Sequence, residues 1–294
     1  MEFFMQLING LQAGSIYALV ALGYTMVYGV AKLINFAHGD IIMVGAYTCL
    51  LLVPVTAGMG LPAWVGVIPA VLLCAVLGML IEHVAYRPLR NSPRISNLIS
   101  AIGVSLLLQN VAMRVFGTAA KPFPKAVDLG EWMLGAYRIP LASLATIFVT
   151  LVLTALLSGF MNRTNLGRAI LATSEDAGAA ELVGINVDRS ISLTFAIGSG
   201  LAAIGSLLYL TRYPQVTPLL GSMLGIKAFI AAVLGGIGSI PGAVLGGFIL
   251  GVVEVLTKAY LDSQLSDAFV FGILIVVLLV KPAGILGNDR VEKV

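Results

Sequence analysis

Charge is what this sequence has least of. Asp, Glu, Lys and Arg make up 11% of its 294 residues, against about 25% in a soluble domain. Hydrophobic residues make up 59%, and mean hydropathy is +1.01. A water-soluble chain this apolar would lack the polar groups to cover its surface, so a soluble enzyme and a disordered chain are excluded. The net charge of +3, from 17 basic and 14 acidic residues, leaves no basic footprint for nucleic acid. Cysteine is nearly absent. Cys49 and Cys74 cannot build a disulfide framework, and both lie in apolar runs as small core residues do. The histidines, His38 and His83, have no second His or Cys at ligand spacing, so no metal site is expected. No G-x-x-x-x-G-K-[ST] run occurs, hence no P-loop, and no Ser/His/Asp or Cys/His set has a credible setting. The chain reads as a non-enzyme without a cofactor. Its N-terminus, Met1-Glu2-Phe3-Phe4, lacks a basic n-region, so the first apolar span is expected to be kept rather than cleaved.

What is present is a series of long charge-free gaps, at 3–31, 41–81, 95–113, 139–162, 190–211, 228–253 and 268–280. A helix crosses the ~30 Å hydrocarbon core in about 20 residues. The fold class is therefore all-α, a polytopic helical membrane protein forming one transmembrane domain over 1–294. Pro54, Gly58, Gly60 and Pro62 divide the second gap with a turn. Spans are placed near 6–28, 39–56, 62–84, 95–116, 140–161, 190–210, 222–257 and 266–283. The seventh would run about 54 Å as one helix, and Gly235-Gly236-Ile237-Gly238-Ser239-Ile240-Pro241-Gly242 disfavours continuity. We read it as 222–236 and 241–257, the first short for a full crossing and readable as re-entrant. The total is eight or nine segments.

Basic residues near span ends orient the chain. Arg87, Arg90 and Arg94 follow span three, and Arg163 and Arg168 follow span five. Parity puts both loops on one side, taken as cytoplasmic, with the N-terminus outside. Lys281, Arg290 and Lys293 join that side only if 222–257 is broken. The 118–139 loop, with Lys121, Lys125 and Arg138 against Asp128 and Glu131, weakens the contrast because parity puts it outside. Asn162-Arg163-Thr164 fits a glycosylation pattern but falls on the cytoplasmic side and is disregarded. Ile68-Pro69 and Ile240-Pro241 lie 172 residues apart, and the same offset maps Glu82 onto Glu254. The topology gives the two runs opposite directions, the plan of an inverted repeat; chance accounts equally well for four matches.

Residues 163–189 form the one substantial polar segment on the cytoplasmic side. Within it 174–183 reads as a helix of about 15 Å. Thr173 serves as N-cap with Asp176 three positions on, Glu175 and Asp176 occupy the first turn, and Gly184 is the C-terminal left-handed residue with Ile185 behind it. Ala177, Gly178, Ala179 and Ala180 allow close approach by another surface. A solvated loop and a docking helix both fit.

Five blocks occur in order: Asn35-Phe36-Ala37-His38-Gly39; Ser100-Ala101-Ile102-Gly103; Glu175-Asp176 with Gly184-Ile185-Asn186; Ala232 through Ala243; and Pro282-Ala283-Gly284-Ile285-Leu286-Gly287. Together they resemble the permease subunits of branched-chain amino acid ABC importers, of the H type in leucine/isoleucine/valine systems. The resemblance runs over nearly the whole chain, including the 291–294 ending. It implies a permease in a bacterial inner membrane that moves leucine, isoleucine and valine by alternating access. It also implies a second related permease, two cytoplasmic ATPase subunits and a periplasmic amino-acid-binding protein as partners. Glu175, Asp176, Ala179 and Gly184 match the cytoplasmic coupling loop that docks on the ATPase. An ion-coupled secondary transporter, an ABC permease for urea or amides, and a membrane scaffold are the alternatives; the first would keep mid-span carboxylates, and the charge gaps hold none.

Intramembrane polar residues are the other candidates. Gln109 and Asn110 sit inside span four, either as interhelical hydrogen bonders or lining the path. Asn35, His38 and Asp40 lie between spans one and two, where a lone His reads as a satisfied structural group. Lys227 and Glu254 flank the broken stretch, about 40 Å apart on a straight helix, and would meet only if it folds back; separate interfaces fit as well. Asn35, His38, Gln109, Asn110, Lys227 and Glu254 are the candidate path residues. Glu82, His83 and Arg87 read as an interfacial cluster. Gly242, Gly246, Gly247 and Gly251 give two GxxxG spacings, read as tight helix packing.

Overall fold

A computed structural model describes residues 2–90, 92–124, 130–134 and 137–287. Lys125, Asp128, Arg290, Lys293 and the 291–294 ending lie outside it. Helices α1 (Glu2–Ala31), α2 (His38–Gly58), α3 (Val67–Ile81), α4 (Arg94–Phe116) and α5 (Leu141–Arg163) are followed by two short helices, α6 (Asn165–Glu175) and α7 (Ala177–Leu182). Then come α8 (Val187–Arg212), α9 (Leu220–Gly235), α10 (Ile240–Tyr260) and α11 (Ser266–Val280). A 3₁₀ turn at Ala63–Gly66 leads into α3, which runs on through a π turn at Glu82–Tyr86 and a 3₁₀ turn at Arg87–Leu89. Among the described residues, seven helices are long and apolar enough to cross a membrane, with α9 and α11 shorter. These match the spans read from sequence. The 118–139 loop departs from a purely helical expectation: β1 (Lys121–Pro122) pairs with β4 (Gln215–Val216), and β2 (Glu131–Leu134) forms a hairpin with β3 (Tyr137–Pro140).

The centre is built from the helices richest in small residues. Most of α1 is covered by protein (83%), whereas α4 is covered over only 11%. Gly10, Gly14, Ala18 and Gly23 leave α1 grooves into which other backbones fit. A Cβ on Gly14 would stand 2.7 Å from the Gly247 carbonyl, and one on Gly251 would stand 2.1 Å from the Gly14 nitrogen. Without a hydrophobic force between helices in lipid, such backbone approach supplies the packing energy. The GxxxG glycines of α10 are thus packing residues. Helix α8 crosses α1 antiparallel, Gly23 against Gly198 and Val20 against Gly205.

Contacts between loops fix which ends share a face. The hydroxyl of Tyr86 donates to Asn35 Oδ1 at 2.9 Å, joining the α1–α2 connection to the end of α3. Arg87 and Arg90 both pair with Asp188 at the start of α8. A Cβ built on Gly29 would stand 3.8 Å from the Gly238 Cα, and Ile285 N–H donates to the Leu234 carbonyl at 2.9 Å. So 31–38, 82–90, 163–189, 236–239 and 281–287 lie together on one Arg-rich face. The β1–β4 ladder and the bond from Arg212 to Gln12 (2.6 Å) gather the opposite ends on the far face.

The long apolar stretch is broken, at 236–239. Gly236 and Gly238 have φ of 106° and 96°, and Ser239 caps α10 by accepting from Gly242 N–H at 3.2 Å. The tail covers the break: Ile285 and Leu286 N–H groups take the carbonyls of Leu234 and Gly235, which α9 cannot satisfy itself. Helix α9 has 16 residues, about 24 Å, which is short for a full crossing, and its first turn packs on the first turn of α2, where a Cβ on Gly39 would stand 2.4 Å from the Gly221 carbonyl.

The offset of 172 recurs in the architecture. Arg94 and Ser266, which begin α4 and α11, are that far apart, and α3 and α10 run in opposite directions between the faces. The two halves are interlaced: α10 packs on α1, and α3 packs on α8.

Candidate functional site

The polar segment on the Arg-rich face is two helices, not one over 174–183. Thr164 caps α6, accepting from Gly167 N–H at 3.0 Å. Gly167, Ile170 and Thr173 then follow at intervals of three on its buried side. Thr173 is therefore no N-cap: it is 3% exposed and bonds back to the Ala169 carbonyl. The chain breaks at Asp176, extended at φ −153° and ψ 106°, whose Oδ1 accepts from Ala179 N–H at 2.9 Å. Glu175 ends α6 rather than starting a helix, and α7 spans six residues, about 9 Å. Its end is as expected: Gly184 has φ +85°, and N–H groups of Gly184 and Ile185 bond the carbonyls of Glu181 and Ala180, both at 2.9 Å. That doubly bonded αL ending is a Schellman motif, and Ile185 packs against the core.

Sequence reasoning passed over the tip of α7. Leu182 is 90% exposed and Val183 75%. An apolar pair on a polar face, held by a cap at each end, is the kind of feature a partner surface covers. A run of small residues drew attention to Ala177–Ala180; the exposed Leu-Val next to the αL glycine was the stronger signal.

Behind this segment lies an ionic chain. Glu82 is fully buried within the protein at the Arg-rich face. Arg90 pairs with it, and Ser192 Oγ donates to its Oε2 at 2.5 Å. The same Arg90 reaches Asp188 Oδ1 at 2.5 Å. His83 contacts Arg87 through Nδ1 at 3.4 Å. The result is a continuous link from the start of α8, just after α7, into the end of α3.

The structure separates the intramembrane candidates. Gln109 Nε2 lies within hydrogen-bond distance of Asp40 Oδ1 (2.9 Å), Ser105 Oγ (3.1 Å) and Ser222 Oγ (3.2 Å), tying α4 to α2 and α9. Asn110 points outward and donates to the Leu106 carbonyl of its own helix at 2.7 Å. Asn35 and His38 are both 1% exposed. His38 stacks edge-on to Tyr24 at 4.8 Å, but its Nε2, like Asn35 Nδ2, has no hydrogen-bond partner. The histidine is buried yet not fully satisfied. Among the described residues no group of three or more His, Cys, Asp or Glu could hold a metal.

Lys227 and Glu254 meet. Folding at 236–239 brings Lys227 Nζ to 2.8 Å from Glu254 Oε1 and 2.8 Å from Asp267 Oδ1. Lys258 Nζ lies 2.5 Å from the same Glu254 oxygen, and Tyr17 OH donates to the other at 2.6 Å. Four charges and a phenol from α1, α9, α10 and α11 thus neutralise one another near the far face.

The chain matches the family described as "Branched-chain amino acid transport system / permease component" over residues 6–278. It is 45% identical to the high-affinity branched-chain amino acid transport system permease protein LivH of Salmonella typhimurium, over 99% of this chain and 98% of that one. It is 44% identical to the corresponding permease protein BraD of Pseudomonas aeruginosa, over 100% and 98%. A probable branched-chain amino acid transport permease protein from Methanocaldococcus jannaschii is 29% identical over 94% and 90%. A helical bundle of this length, matched end to end at such identity, belongs to the permease-component family of branched-chain amino acid transport systems.

Proposed function

We propose that this chain is the transmembrane permease subunit of an ATP-driven importer for branched-chain amino acids, acting as one domain over 1–294 and lying in a bacterial inner membrane. A second related permease completes the path, two ATPase subunits dock on the Arg-rich cytoplasmic face, and a periplasmic amino-acid-binding protein delivers solute to the far face. ATP is hydrolysed on the partners and not on this chain. The observation that carries the reading is the 163–189 segment: two capped helices ending in an exposed Leu182-Val183, anchored through Asp188, Arg90 and Glu82 to α3. Push from an ATPase pair on α7 reaches α8 and α3 together. Because those helices interlace with α1 and α10, the bundle responds by rocking, and the path opens alternately to each side.

Glu175, Asp176, Ala179 and Gly184 serve the coupling, the last two by keeping α7 compact. Asn35, His38, Gln109, Lys227 and Glu254 are interior positions that hold the helices around the path, and Asn110 faces outward, toward lipid or the second permease. The test is leucine uptake by cells carrying Ala179→Arg or Leu182→Asp. We expect uptake to fall at least tenfold with membrane abundance retained; normal uptake would remove the coupling role. A secondary transporter gains some ground from the buried Asp40, Glu82 and Glu254. Uptake by this chain alone in ATP-free vesicles under an imposed H⁺ or Na⁺ gradient would establish it instead.

A further inference from the structure

A recess of about 240 Å³ opens beside the four-charge cluster, in the half of the bundle near the far face. We propose that it is a binding station for a zwitterionic amino acid with an aliphatic side chain, contained within this one subunit. The proposal rests on the importer reading and adds a place and a chemistry to it.

Three kinds of wall meet there. One end carries Lys227, Glu254 and Lys258. Lys227 spends donors on Glu254 and Asp267, and Lys258 spends one on Glu254. An ammonium has three N–H donors, so both retain capacity aimed at a carboxylate. The second wall is aromatic: Tyr17, Tyr209 and Tyr213, with the last two rings 5.0 Å apart. The Tyr213 ring already faces the Arg212 guanidinium, 5.4 Å from its centroid, which leaves Tyr17 and Tyr209 to attract a further cation, with Glu254 beside them. The third wall is aliphatic, made by Leu220, Met223 and Leu224 from the first turns of α9. A carboxylate, an ammonium and a branched apolar group each have a facing surface.

Charge and size narrow the class. The two lysines offset Glu254 and Asp267, so the cluster is neutral. A ligand with net charge would leave an uncompensated charge in a low-dielectric site, whereas a zwitterion adds none. The volume lies below the ~300–1,000 Å³ typical of drug-sized pockets, which suits a single small solute. The site is also exchangeable: the Lys258 side chain is 38% exposed against 4% for Glu254, so Lys258 can swing from Glu254 to a bound carboxylate and back without unpacking the bundle. Such a station holds solute loosely, as a path must.

The test is equilibrium dialysis of radiolabelled L-leucine against the purified assembly of permeases and ATPases, without the periplasmic protein. Saturable binding is expected. 4-Methylpentanoate, which lacks the ammonium, and 3-methylbutylamine, which lacks the carboxylate, should each compete at least tenfold more weakly than leucine. Lys258→Met should weaken binding at least fivefold and Lys258→Arg should restore it. Met223→Trp should block the recess from an exposed position where folding is not at stake. No saturable binding by the wild type, equal competition by the three compounds, or unchanged binding in both Lys258→Met and Met223→Trp would overturn the proposal. ATP-driven leucine uptake measured alongside keeps the two readings apart. Uptake with an inert recess sinks the station alone, and a binding recess without uptake sinks the importer alone.

Discussion

Glu82 and Glu254 show how much a single side chain can be asked to hold. Each is a buried carboxylate late in its helix, and each accepts a hydroxyl from the leading helix of the other half, Ser192 for Glu82 and Tyr17 for Glu254. Breaking a buried pair by removing one partner strands the other charge and costs about 3–5 kcal/mol. Glu82→Ala should therefore lower the thermal midpoint of the detergent-purified assembly markedly, while Glu82→Gln, which keeps the Ser192 bond, should lower it less; equal midpoints for wild type and Glu82→Ala would contradict the burial. Glycines separate in the same way. Gly14→Val drives a branched side chain into the α10 backbone and should destabilise by at least the ~1–3 kcal/mol of overpacking. Gly103 on α4 has nothing within 4 Å of an added Cβ, so Gly103→Ala should be neutral or gain up to about 1 kcal/mol from helix propensity.

At the scale of the element, the 163–189 segment is built from caps. Removing one typically costs about 1 kcal/mol, and a helix of six residues has little else. Asp176→Ala should loosen α7 and raise its amide exchange at 179–182 without altering exchange in α8, and leucine uptake should fall with it. Gly184→Val forces a branched residue to φ +85° and should do the same. This segment also marks where the sequence was legible and where it misled. Gly184 and Ile185 announced the end of α7 because the αL motif is local. Thr173 with Asp176 looked like a capping box because spacing alone cannot reveal that Thr173 lies on the buried side of another helix. The break at 236–239 was legible for the opposite reason: charge parity and glycine clustering both demanded it. The Lys227–Glu254 pair was legible as a consequence of that break, whereas the partner of Glu82 was not, since Ser192, 110 positions away, becomes its neighbour only through the interlaced packing.

For the whole molecule, the two faces make a prediction that needs no assembly. Cys49 and Cys74 are both 0% exposed, so the native chain should be silent to a membrane-impermeant maleimide. Ser174→Cys should label only after the membrane is opened from the cytoplasmic side, and Met59→Cys should label in intact cells stripped of outer membrane. The reverse pattern would invert the topology and, with it, the coupling face.

The interlacing also has a consequence for how the protein is made. Helix α1 leaves the ribosome first, yet its partners α8 and α10 begin only at residues 187 and 240. At ~5–20 residues per second, α1 waits on the order of ten to forty seconds with its glycine grooves empty and Gln12 without Arg212. During that interval α5 can already bring the Ser143 hydroxyl to Gln12, but the glycine faces stay uncovered, so a nascent chain halted before α10 is a substrate for membrane quality control rather than a half-built pore. Stalled or truncated products ending before residue 240 should be cleared from the cell, which protects the membrane from partial conduits.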